Sequence, residues 1–205
     1  MFNLPKKTEI KKNIYKKAIY QKFSTELLGN KKETLDKEIK KITVINEISE
    51  QSVNIKATEE VSAIFVVLIE LKTKDFSSQN LSLISRLFGQ KILIALRFEK
   101  EFRLAIYETK LLLGDWKTEN EITLLLLGLN LSSVWENLVT QVANIEIEDG
   151  NSLVEQIDKE DKKEKLIQQI KTTEKKARRE QQAKKKFELY QQIKAYEREL
   201  KKIRM

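Results

Sequence analysis

The chain has 205 residues, 34% of them charged and 40% hydrophobic, with a net charge of +8. It contains no Cys and no His, so disulfides, zinc knuckles, cysteine nucleophiles and imidazole acid–base chemistry are ruled out. Its five glycines stand far apart, at 29, 89, 114, 128 and 150, and neither a P-loop nor a dinucleotide fingerprint can be built from them.

Charge is unevenly placed. Residues 1–22 hold seven Lys against Glu9, residues 151–205 hold 17 basic and 10 acidic side chains, and the stretch between carries a net −5. Two basic ends therefore flank an acidic middle, a layout suited to an acidic partner such as nucleic acid, although Lys-rich helix faces are commonly only solvated. The opening MFNLPKKTEIKK is charged where a secretory segment would be apolar. The longest apolar runs, 63–69 and 124–131, fall short of the ~20 residues of a membrane span. The expected location is the cytoplasm.

Ile10, Ile14 and Ala18, with Ile19 and Phe23, recur at intervals of four and predict a helix over 8–23. KETLDKEIKKI predicts a second helix over 31–41, and the alternating, β-branched ITVINEI a strand over 42–48. SVNI (53–56) reads as a short strand. VSAIFVVLIELK (61–72) is apolar on both faces, as a central strand covered on both sides would be.

LSLISRLF (81–88) has helical spacing, KILIALRF (91–98) and FRLAIYET (102–109) read as a hairpin around EKE, and EITLLLL (121–127) reads as a further strand. LSSVWENLVTQVANI (131–145) is a helix with Asn130 as N-cap and Leu131, Val134, Trp135, Leu138 and Val142 facing inward. Asp75, Asp115 and Asp149 fall in loop sequences, and Trp116 and Trp135 are expected as core or edge anchors. The body, residues 1–150, is thus expected to be α/β or α+β, a mixed sheet flanked by helices.

Composition changes at residue 151. Leu166, Ile170, Thr173 and Ala177 form one coiled-coil seam; Leu189, Ile193, Tyr196, Leu200 and Ile203 form another. The twelve-residue step from Ala177 to Leu189 puts the seams about 120° out of phase on one straight helix. An antiparallel hairpin over 151–205, turning near 181–184, brings them face to face. Its tip then gathers Lys175, Lys176, Arg178, Arg179, Lys184, Lys185 and Lys186, an arrangement that repels itself and favours an arriving anion.

Glu70-Leu71-Lys72 ends the central strand. In nucleases of the PD-(D/E)xK type, a carboxylate and a Lys so spaced hold Mg²⁺ and orient the attacking water, and the order helix, three strands, helix, strand over 31–98 suits such a core. Glu47, or else Glu59 or Glu60, is the candidate second ligand. The competing reading makes Glu70 and Lys72 a solvated strand end, since the tripeptide recurs by chance in so charged a chain.

FNLPKKTEIKKNIYKKAIYQKF, INEISEQSVNI, LKTKDFSSQNL, GLNLSSVWENLV and IEIEDGNSLVEQI, with the basic hairpin and its FEL, resemble the bacterial and archaeal family known as domain of unknown function 4391. That resemblance implies a DNA-handling context, beside the DNA methyltransferases and helicases of restriction-type and phage-defence loci. It carries no catalytic residues onto this chain. Three expectations follow: a non-enzymatic accessory subunit that meets DNA or an acidic protein surface through the hairpin, with no cofactor; a Mg²⁺-dependent nuclease using Glu47, Glu70 and Lys72; or a hairpin that serves as a homo-oligomerisation arm.

Overall fold

The computed structural model describes residues 1–204. The chain divides into two compact units, Met1–Ile145 and a second beginning at Glu146. The first runs β1 (Glu9–Ile14), α1 (Lys16–Lys22), α2 (Lys31–Glu38), β2 (Ile39–Ser49), α3 (Glu50–Val53), β3 (Ala63–Leu71), α4 (Ser78–Phe88), β4 (Lys91–Phe98), β5 (Glu101–Tyr107), β6 (Leu111–Thr118) and α5 (Leu131–Ala143). The second is α6 (Leu153–Arg179) and α7 (Ala183–Arg204), packed together. Among the described residues no helix is long and apolar enough to cross a membrane.

The six strands form one mixed sheet in chain order, β1 to β6, antiparallel throughout except that β3 and β4 run parallel. A parallel pair needs a crossover, and α4 supplies it. β3 is interior, and Ile64, Val66, Val67 and Ile69 on its two faces are all fully buried, as expected for a covered central strand. One face packs Ile42, Val44, Val67, Ile69, Ile94 and Leu96 under Ile19 of α1, Leu35 of α2 and Leu81 and Ile84 of α4. Against the other lies α5, which buries Leu131, Val134, Trp135, Leu138, Val139 and Val142, each side chain stabilising the unit by about 1.5–3 kcal/mol. Asn130 caps α5 as expected, its Oδ1 accepting from the Ser133 amide at 3.0 Å.

Three elements differ from expectation. Residues 9–14 are not helical; they form β1, paired with β2, and the helix is only Lys16–Lys22. Isoleucines four apart share a face in a strand as well as in a helix, because four is an even step, and here the ladder with β2 decides. β1 is an edge strand whose register shifts between Glu9 and Lys12. SVNI is no strand: Ser49 and Ser52 form a capping box that starts α3, and Asn54 ends it in the left-handed region at φ 57°.

EITLLLL is not a strand either. The place beside β5 is taken by β6, LLLGDWKT, so Asp115 lies in a strand and not in a loop. Gly114 fits there because a Cβ would stand 3.1 Å from the Val142 carbonyl oxygen of α5. Residues 122–130 instead run irregularly, with the Leu125 backbone N–H and C=O both bound by the Gln141 side-chain amide. Ile122 and Leu124 point inward, while Leu125, Leu127 and Leu129 are exposed.

Candidate nucleic-acid interface

The second unit is built as the seams require. Ser152 and Glu155 form a capping box: the Glu155 carboxylate accepts from the Ser152 amide at 2.8 Å, and this bond holds it below the usual carboxylate range. Leu166, Thr173 and Ala177 of α6 and Ile193 of α7 are buried, with Ile170, Leu189, Tyr196, Leu200 and Ile203 half-buried beside them. Only Glu180 to Gln182 separate the helices, and a connection that short makes them antiparallel neighbours. The turn is set by Glu180, whose carboxylate accepts from the Gln182 amide at 2.9 Å.

That turn puts all seven predicted cations together at one end. Lys176, Arg178 and Arg179 occupy the last turn of α6, where the partial negative charge of the helix terminus stabilises them. Lys184, Lys185 and Lys186 occupy the first turn of α7, which has no acidic residue. There the helix terminus is partially positive, so these three lysines oppose local stability.

Charge pairing separates the tip from the base. Toward the base, Lys163 bonds Glu160 at 2.7 Å, Lys165 bonds Asp161 at 2.6 Å, and Lys159 bonds Glu148. Those contacts raise the Lys165 ammonium above its usual range and lower the Glu148 carboxyl below its own, the bond to Lys159 being the largest cause. At the tip Arg178 has a carboxylate, Glu174, at 4.0 Å, and Arg178 remains 78% exposed. The other six cations have no ion pair among the described residues, and every one except the half-buried Lys186 is exposed. A shallow groove beside the turn is lined by Lys176, Arg179 and Lys185 together with Glu180 and Glu188.

The N-terminal lysines behave differently. Lys16 bonds Asp36 at 2.8 Å, and Lys22 donates to the carbonyls of Arg86 and Leu87, neutralising the C-terminal end of α4. Two of them are therefore parts of the fold.

The candidate nuclease set is not assembled. Glu70 lies opposite Lys41 in the β2–β3 ladder, while Glu47 lies opposite Phe65, five residues back along β3 and so about 17 Å away at ~3.3 Å per residue. Carboxylates so far apart cannot share an ion with ~2.1 Å ligand distances. Glu70 is instead held by Arg97 of β4 at 3.0 Å, and the Lys72 ammonium turns to the Asp36 carbonyl at 2.6 Å. Because 53–56 is not a strand, α2 and α4 enclose two strands where three were expected. Among the described residues no three acidic side chains gather as a metal-binding group.

Two polar clusters escaped the sequence reading. The Asp36 carboxylate accepts from Lys16 at 2.8 Å and from the Tyr20 hydroxyl at 2.5 Å; burial, then this bond, pushes the Tyr20 phenol above its usual range. Glu108 accepts twice from Lys91, at 2.7 and 2.9 Å, and once from the indole N–H of the buried Trp135, at 3.3 Å. Both clusters join residues distant in the chain, and no local spacing announces them. Phe187 and Tyr190 were legible and passed over: they fall outside the 4-3-4-3 seam and are 63% and 46% exposed.

Residues 2–200 match the family model described as "Domain of unknown function (DUF4391)", and the chain belongs to that family. No curated protein and no solved structure matches it.

Proposed function

We propose that the protein is a non-enzymatic accessory subunit of a DNA-handling system of the restriction or phage-defence type, working beside a larger protein such as a helicase or methyltransferase. Its hairpin tip contacts the nucleic-acid backbone. The observation that carries this reading is the first turn of α7, where Lys184, Lys185 and Lys186 stand against the helix terminus with no acidic neighbour in the turn. Local stability does not account for cations placed there, and an anionic ligand does. The oligomerisation reading is less well supported, because the apolar seams of α6 and α7 are already spent on each other.

The test is K184E/K185E/K186E, assayed by DNA binding across a salt series. Residues 175–186 carry seven cations and one carboxylate, so the triple reversal takes the tip from six net positive charges to none. Losing three backbone contacts lowers the slope of log K against log salt by about 3, at ~0.9 per contact. Glutamates in the first turn of α7 favour the helix, so lost binding would not reflect lost folding. Salt-insensitive binding by the wild type, or unchanged binding by the variant, refutes the assignment.

A further inference from the structure

We propose that the outward face of α7 is a stacking platform for unpaired nucleic acid, with Phe187 and Tyr190 taking bases and the lysines and arginine around them taking phosphates. The proposal rests on the nucleic-acid reading above and names its substrate class.

At about 100° per residue, Lys184, Phe187, Tyr190, Gln191, Lys194, Arg198 and Lys201 fall on one side of α7, roughly opposite the seam of Leu189, Ile193, Tyr196 and Leu200. Every one of these seven is exposed, and no carboxylate interrupts them: Glu188, Glu197 and Glu199 lie on the flanks. In a helix that also holds those three glutamates, an acid-free stripe about 26 Å long at ~1.5 Å per residue is a charge pattern, not a composition effect.

Phe187 and Tyr190 interrupt the stripe near the tip. Among the described residues neither ring stacks on another aromatic or lies under a cation, and the Tyr190 hydroxyl makes no hydrogen bond. Leaving an apolar ring in water is unfavourable, and the inward seam does not need either one. Cations alone would serve a duplex, whose bases are already stacked on each other. Exposed rings among cations match single-stranded sites, where aromatic faces take successive bases and the basic groove follows the backbone.

The test compares three probes of equal length: a single-stranded oligothymidylate, an abasic strand with the same phosphates and sugars, and a duplex. The proteins are the wild type, F187A/Y190A and K184E/K185E/K186E. Alanine is the better helix former and both rings are exposed, so F187A/Y190A keeps the hairpin. The expected result is that wild type binds oligothymidylate at least about tenfold tighter than the abasic strand, and that F187A/Y190A loses this preference while its abasic and duplex affinities stay put. If F187A/Y190A behaves as wild type, or loses all three probes equally, the stacking proposal is overturned, and the first of these outcomes points to a protein groove as the partner of the rings. If the lysine reversal also leaves every affinity unchanged, the nucleic-acid reading falls with it.

Discussion

Removing the Glu108 carboxylate tests how α5 is fastened to the sheet. Glu108 follows β5 and, among the described residues, is the one acceptor for the indole N–H of Trp135, a residue 2% exposed, while also holding Lys91 of β4. In E108A the Trp135 N–H loses its partner inside the unit, a penalty of about 1–3 kcal/mol. Lys91 is 32% exposed, turns to water, and adds little. The expected loss is therefore about 2 kcal/mol, while E108Q, which keeps a carbonyl oxygen for the indole, costs about half that. Both tryptophans, Trp116 and Trp135, lie in the first unit, so their fluorescence in urea follows that unit without interference from the hairpin. Equal losses in E108A and E108Q, or a change below ~0.5 kcal/mol in E108A, would show that the indole contact does not matter.

Two further outcomes follow from the geometry. Ala at Gly128 would place its Cβ 2.6 Å from both Ser133 Oγ and the Val134 nitrogen, at φ +153°, so G128A should shift the start of α5 and cost about 1–3 kcal/mol. G29A, at φ +63° and in open space, carries only the milder left-handed strain and no clash; equal urea midpoints for the two would refute the steric argument. Asp36 has its carboxyl held below the usual range, first by the Lys16 bond and then by Tyr20. A lowered folded pKa gives stability that is complete above the unfolded value, about 3.9, and is lost as pH falls through the folded one. D36N should therefore be less stable than wild type at neutral pH, with the difference in urea midpoint shrinking in acid; a gap independent of pH would contradict the assignment.

The C-terminal hairpin was the most legible part of the sequence, because two heptad-like seams out of phase by about 120° admit few arrangements other than a fold-back. The α4, β4, β5 and α5 spans were legible for a related reason: long periodic runs ended by Gly89 and opened by Asn130 mark their own limits. Where the reading failed, the deciding partner lay elsewhere in the chain. Residues 9–14 become a strand through β2, and LLLGDWKT pairs with β5 despite its Gly-Asp, because Gly114 lets α5 approach. The tip cations were found from composition once the turn was placed. The Glu47, Glu70 and Lys72 set failed because strand register, which no spacing within a single strand encodes, puts the two carboxylates at opposite ends of the ladder.

The shifted register of β1 also bears on the surplus of lysine near the start of the chain. A sheet that ends on a flat, apolar strand offers its unused amides and carbonyls to any neighbouring molecule, and association then runs on without limit. β1 ends this sheet with Lys11 and Lys12 exposed on a strand interrupted after Glu9. Positive charge at that margin is unfavourable against the same margin of a second copy, and the irregular ladder offers it no flat template, so this edge carries two of the features that discourage edge-to-edge strand pairing.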